Sequence, residues 1–181
     1  MFLKIKSFLF VVYAKFMVKK ILNENLNGIF YQDKIWQQLV KDAVDTMFGK
    51  EHGLGQITNL ASFKEKIPLR QYEDFIPYIE KINQGHQNIL WKGIPLYFAK
   101  TSGTTAIEKL IPISKESIQH HIIAARNILI FHAAQQNKAL FLQGKMIFIQ
   151  GSPKIENKKG ISIGRLSGIV FHHVPAFFHQ N

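Results

Sequence analysis

The chain has no cysteine among its 181 residues, which excludes disulfides, thiol nucleophiles, iron–sulfur clusters and thiolate-ligated zinc. The absence fits a reducing, cytoplasmic setting. Acid is scarce in the second half: no Asp follows Asp74, and beyond residue 100 only Glu108, Glu116 and Glu156 remain. Acid–base chemistry by paired carboxylates therefore lacks its residues within this chain. Arginine is scarce too, with Arg70, Arg126 and Arg165 set against 20 Lys, whereas base reading leans on bidentate Arg. The net charge is +11, yet residues 1–100 carry 14 basic and 9 acidic side chains and residues 101–181 carry 9 and 3. No block forms a basic arm, so no specific nucleic-acid partner is expected.

Long apolar runs are missing. The run at residues 8–14 follows Lys4 and Lys6 but is only seven residues long, so no stable membrane span is expected. No small-x-small cleavage site follows it; Lys15, Phe16, Met17 and the Lys19-Lys20 pair stand there instead. The segment reads first as a helix packed on the rest of the protein, with an interfacial amphipathic helix and a secretory signal as alternatives. The histidine pairs His120-His121 and His172-His173 lack the i, i+4 spacing of a helical zinc site, and no metal ligands are assigned.

What is present is enough apolar side chain, 46% of residues, to build a substantial core. Asp33 is placed to cap a helix through Trp36, Leu39, Val40, Ala43, Val44 and Met47, with Gly49 as its stop. Asn59 is placed to cap a short helix that Pro68 ends. Tyr72, Phe75, Ile76, Ile79 and Ile82 continue helical spacing up to Gly85. From about residue 91 the pattern changes. Residues 96–99, 110–113 and 146–149 are short apolar, aromatic or β-branched runs that predict strands, with Pro112 confining the second to a sheet edge or strand end. Ser114 is placed to cap a long helix reaching about Asn137. The pattern predicts an α/β fold in which a helical N-terminal layer leads into a mixed sheet.

Thr101, Ser102, Gly103, Thr104 and Thr105, with Lys109 eight residues from the start, lie between two expected strands. They offer four hydroxyls, a glycine that lets backbone amides approach a ligand, and one point charge. This is phosphate-binding chemistry, but an ordinary polar loop has the same composition. It is not a Walker A loop, because Glu108 rather than Gly precedes Lys109.

These residues, followed by Ile111 and Pro112, resemble the phosphate loop of adenylate-forming enzymes, and specifically that of the auxin-responsive acyl acid amido synthetase family. The stretches FGKEHG (48–53), IPLRQYED (67–74), PYI (77–79) and GHQNILW (85–91) are similar to that family's sequence before the loop. GK (144–145), GSP (151–153), GRLSG (164–168) and HHVP (172–175) are similar to its continuation. The resemblance covers nearly the whole chain.

The resemblance implies a large N-terminal domain of an adenylate-forming enzyme and a two-step ligase acting on a small-molecule carboxylic acid and an amino acid, with ATP and Mg2+. Ser102, Gly103, Thr104 and Thr105 would hold the ATP phosphates, and Lys109 would act catalytically by stabilising charge as pyrophosphate leaves. Ala106 and Ile107 stand where the family usually has a Gly, and β-branched Ile resists positive φ. The family's chain runs well past residue 181, so residues 1–181 are expected to be an incomplete large domain, without the C-terminal lid and inactive alone. Arg126 lies on a helix whose apolar residues occupy most sides, so an enclosed guanidinium is expected there. Its anion is a substrate carboxylate or phosphate, or a structural partner: Glu73, Asp74 or the sequence expected beyond residue 181. Residues 165–168 read as a turn packed on the sheet, since glycine suits close backbone approach, with a direct acyl-pocket role as the alternative. A second class stays open on composition: a non-catalytic basic module that binds anionic surfaces, nucleic acid or membrane.

Overall fold

The computed structural model describes residues 2–101, 108–144, 147, 149, 151–158 and 160–174. Two long helices come first, α1 (Phe2–Leu26) and α2 (Gly28–Ala43), followed by the short α3 (Met47–Glu51) and α4 (Leu60–Lys66). A 3-10 turn over Tyr72–Phe75 leads into α5 (Ile76–Asn83), which closes at Gly85 with φ +93°, a conformation that Gly adopts without steric cost. Asn59 caps α4 as expected: its side chain accepts from the Ser62 N–H while the Ser62 hydroxyl accepts from the Asn59 N–H.

The expected start and stop of α2 are not the real ones. The helix begins at Gly28, ahead of Asp33, and ends at Ala43. Gly49 lies inside α3, where a Cβ would stand 2.0 Å from the Ala43 carbonyl oxygen. Thr46 organises this corner, donating to that carbonyl at 2.7 Å and accepting from the Gly49 N–H at 2.9 Å. Gly49 is thus required by close approach of two helix ends rather than by a left-handed stop.

The sheet has β1 (Tyr97–Lys100), β2 (Leu110–Ile113), β3 (Glu156–Lys158) and β4 (Ile161–Arg165), in the order β2-β1-β4-β3. β1 pairs antiparallel with β2 and parallel with β4, and β3 pairs antiparallel with β4. Pro112 therefore sits on an edge strand, where its missing N–H interrupts no second ladder. Ser114 caps α6 (Lys115–Gln136) by accepting from the Ser117 N–H at 3.1 Å, and Asn137 ends it at φ 52°. This helix lies in the crossover between the parallel strands β1 and β4; α7 (Leu166–Phe171) follows β4 directly.

The expected strand at 146–149 is corrected in part. Residues 146 and 148 lie outside the described ones, but Ile147 and Ile149 have no regular structure and are 88% and 98% exposed. The place beside β1 belongs to β4, whose Ile161 and Ile163 enter the core.

Strand alternation sets the layers. Phe98, Ile161 and Ile163 face α5 and pack with Tyr78, Ile79, Ile82 and Ile89. Ala99 and Ile113 face the other way, against Ile118 of α6 and Ile169 of α7. Burying a side chain of the size of Phe98 contributes about 1.5–3 kcal/mol. On α6, Ile130 and Ala133 pack against Val11 and Ala14 of α1. Buried Ser7 accepts from the Ala139 N–H at 3.2 Å. The N-terminal segment is thus a helix packed on the rest of the chain. The architecture is α/β, with a helical N-terminal layer leading into a mixed sheet.

Candidate functional site

The loop of interest leaves β1 at Lys100 and enters β2 at Leu110. Its two ends are hydrogen-bonded together, because the Thr101 N–H donates to the Lys109 carbonyl at 3.1 Å, one step beyond the Lys100–Leu110 register pair. Ser102, Gly103, Thr104 and Thr105, with Ala106 and Ile107, lie outside the described residues. Thr101, Glu108 and Lys109 belong to no helix or strand.

Both rims of the loop are anchored by side chains. Lys100 reaches Glu108 at 3.4 Å and Glu156 on β3 at 3.2 Å. The hydrogen bond to Glu156, with the two carboxylate charges behind it, holds the Lys100 ammonium above the ordinary lysine range despite partial desolvation. On the other rim, the Leu110 N–H donates to the Tyr72 hydroxyl at 2.8 Å. The Lys109 ammonium stands 4.9 Å over the Tyr72 ring and 3.7 Å from the Glu73 carboxylate. Glu73 is well exposed, and exposed ion pairs contribute only about 0–1 kcal/mol. The Lys109 side chain, 36% exposed, is therefore aimed by an aromatic ring yet remains free to exchange its weak carboxylate partner for a stronger anion.

The contacts that Tyr72, Glu73 and Lys100 make at this loop are the parts that sequence reasoning missed. Tyr72 counts in the sequence only as an apolar position, and nothing local pairs it with Leu110, 38 residues away. A second cluster lies under the same 3-10 turn. Arg70 donates to His52 Nε2 at 2.6 Å, which makes that nitrogen the acceptor and leaves Nδ1–H to donate to the Phe48 carbonyl at 2.8 Å. The Tyr78 hydroxyl donates to Glu51; burial, then that bond, push the phenol above its ordinary range. Phe48 stacks on Phe75, so this cluster buttresses the turn that carries Tyr72 and Glu73.

Arg126 does not occupy the expected setting. Its side chain is exposed on α6, as are Ile123 and Ile128, because α1 and the sheet cover only part of that helix. Neither expected acidic partner is committed to it: Glu73 pairs with Lys109 and Asp74 accepts from the Gln71 N–H. The segment at 164–168 is the end of β4 and the first turn of α7 rather than a turn on the sheet. Its glycines do provide close approach, since a Cβ on Gly168 would stand 2.3 Å from the Ser152 carbonyl oxygen. His172 Nε2 donates to the Pro153 carbonyl at 2.7 Å, and His173 meets the Tyr97 hydroxyl at 3.0 Å. Among the described residues, no group of three His, Asp or Glu side chains is placed to hold a metal ion.

Residues 18–181 match the family described as GH3 family N-terminal domain. Over 94 residues the chain is 33% identical to an indole-3-acetic acid-amido synthetase, GH3.3, of Arabidopsis thaliana, a match that covers 51% of this chain and 16% of that protein. Over 145 residues it is 26% identical to the jasmonoyl-L-amino acid synthetase JAR4 of Nicotiana attenuata, covering 78% of this chain and 25% of that protein. Among solved structures, the GH3.15 acyl acid amido synthetase superposes with a TM-score of 0.73 at 19% identity, over 87% of this chain and 28% of that one. The last likeness speaks for the fold. These matches span a quarter or less of the curated relatives' length.

Proposed function

We propose, from the premise that this chain belongs to the GH3 family, that it supplies the triphosphate-binding part of an ATP-dependent acyl acid amido synthetase. Residues 1–181 would form the first portion of the large domain, ahead of the sequence that the longer relatives carry. In the overall reaction a carboxylic acid displaces pyrophosphate from ATP, and the amine of an amino acid then displaces AMP from the acyl adenylate to give an amide.

The observation that carries this reading is the seat of Lys109. A hairpin loop whose ends are tied together presents an ammonium fixed by Tyr72 and only weakly neutralised by Glu73. The donor set suits phosphate oxygens: hydroxyls of Ser102, Thr104 and Thr105, the Gly103 N–H, and one cation at the loop's end. Magnesium bound with the triphosphate would neutralise further charge; no carboxylate of this chain is assigned to it. Lys109 would stabilise the negative charge that grows on the leaving pyrophosphate, an electrostatic role that requires no proton transfer. Arg126, exposed on α6 among the described residues, is given no role in this reading.

The test is thermal unfolding of the 181-residue chain with Mg·ATP, Mg·AMP or neither. A ligand that binds only the folded state at a hundred times its Kd adds about 2.7 kcal/mol of stability. ATP should raise the midpoint more than AMP does, and Lys109→Ala should remove that difference while leaving the ligand-free midpoint nearly unchanged. Equal responses to ATP and AMP, or an undiminished ATP response in Lys109→Ala, would overturn the assignment. With the rest of the large domain in place, Lys109→Ala and Thr104→Ala should each slow adenylate formation by about 2 to 4 kcal/mol of transition-state stabilisation.

A further inference from the structure

Helix α1 has two apolar faces, and among the described residues only one of them is packed. Val11 and Ala14 are buried against α6, with Phe10, Met17 and Val18 beside them. On the opposite side Ile5, Phe8, Leu9, Val12 and Phe16 keep i, i+3, i+4, i+7 spacing and form one exposed stripe, with Phe8 and Phe16 each 67% accessible. Exposed lysines frame it: Lys4 and Lys15 lie along one edge, Lys20 lies on the other, and Lys19 continues it beyond Phe16. The helix holds a single acid, Glu24, paired with Lys20 at its far end.

This stripe is independent of the triphosphate reading. The family match begins at residue 18, after Phe16, so the stripe lies outside the part of the chain shared with the GH3 N-terminal domain. Among the described residues, no helix is long and apolar enough to cross a membrane. A stripe of aromatic and branched residues edged by lysines is instead the pattern of a helix lying in the plane of a lipid–water interface. The rings would enter the acyl boundary, while the lysines would remain at headgroup depth against anionic phosphates and carboxylates.

We propose that this face of α1 docks the protein on an anionic lipid surface. The pose leaves Val11 and Ala14 on α6, so docking does not require the core to open. It also excludes a purely electrostatic contact, because the stripe itself is apolar, and a purely apolar one, because lysines frame it.

The test is co-flotation of the 181-residue chain with vesicles of phosphatidylcholine alone and of an equimolar phosphatidylcholine–phosphatidylserine mixture. Binding should favour the anionic vesicles and weaken as ionic strength rises. The double substitution Phe8→Ser, Phe16→Ser should lower partitioning by at least about tenfold, since it removes most of the buried aromatic area. Lys15→Glu with Lys19→Glu should lower it about fivefold or more for each charge reversed. Phe30→Ser, an exposed aromatic on α2 that is not part of the stripe, should leave it unchanged. All these side chains are solvent-exposed, so far-UV circular dichroism should match the parent in every variant.

Equal binding to neutral and anionic vesicles would overturn the proposal. So would equal loss in the Phe30→Ser variant, which would show non-specific adhesion. No vesicle binding, with a concentration-dependent dimer that Phe8→Ser, Phe16→Ser abolishes, would assign the face to a second copy of the chain instead. No binding and no dimer would leave the lipid assignment refuted.

Discussion

Removing the Tyr72 hydroxyl is the sharpest probe of how the loop's base is built. That oxygen accepts the Leu110 N–H at 2.8 Å and makes a longer contact of 3.4 Å to the Leu110 carbonyl. Tyr72→Phe therefore deletes one good hydrogen bond and leaves a part-buried N–H without its acceptor. A net hydrogen bond contributes about 0.5–1.5 kcal/mol, and a fully buried orphan donor costs about 1–3 kcal/mol. Leu110 is only half-buried, so water can reach the group and the expected loss is about 1 kcal/mol. The ring stays, and with it the Lys109 contact, which contributes about 0.5–1 kcal/mol at an exposed site. Urea unfolding followed by far-UV circular dichroism should show a lower midpoint with an unchanged slope, because the exposed area on unfolding is the same. The midpoint rise with Mg·ATP should persist in Tyr72→Phe and shrink in Tyr72→Leu, which removes the ring as well. A Tyr72→Phe protein as stable as the parent would refute the hydrogen-bond account. Loss of the ATP response at parental stability would refute the claim that the ring, rather than the hydroxyl, aims Lys109.

Gly168→Ala should destabilise by about 1–3 kcal/mol, because its Cβ would meet backbone on two sides, the Ser152 oxygen at 2.3 Å and the Pro153 Cα at 3.1 Å. Gly144→Ala, with nothing within 4 Å, is the matched control and should be close to neutral in the same denaturation series. Glu116 is held below its ordinary value of 4.5 first by its own backbone N–H at the start of α6, then by Ser114, Trp91 and Lys92, against desolvation. A folded-state pKa that is lowered gives stability that is complete above about 4.5 and lost as pH falls through the folded value. Urea midpoints measured down through that window should therefore fall less in Glu116→Gln than in the parent, and parallel profiles would count against the assignment. Finally, the 181-residue chain given Mg·ATP and a panel of aromatic and aliphatic acids should release no pyrophosphate in sustained turnover. Correct positioning of all reactants supplies roughly 7 to 11 kcal/mol of such a barrier, and the proposed loop holds only the triphosphate. Sustained turnover would show that the rest of the cleft is dispensable.

The features legible in the sequence are those whose partners lie within a few residues. Asn59 with Ser62 and Ser114 with Ser117 close on themselves at i, i+3, so the helix starts at residues 60 and 115 need no knowledge of the fold. Gly85 past α5 and Pro112 on an edge strand follow from single-residue backbone rules. The hydroxyls, glycine and lysine at 101–109 are read from the sequence, and their phosphate-binding role is the reading proposed above. Tertiary structure decided the rest, because it depends on which distant surfaces meet. Gly49 must be glycine because of the Ala43 carbonyl, and Tyr72 matters because Leu110 folds onto it. Residues 161–165 become a strand by pairing in parallel with β1 across the connection formed by residues 101–160. Arg126 is exposed because helical periodicity reports which side chains are apolar, not how many neighbours arrive to cover them.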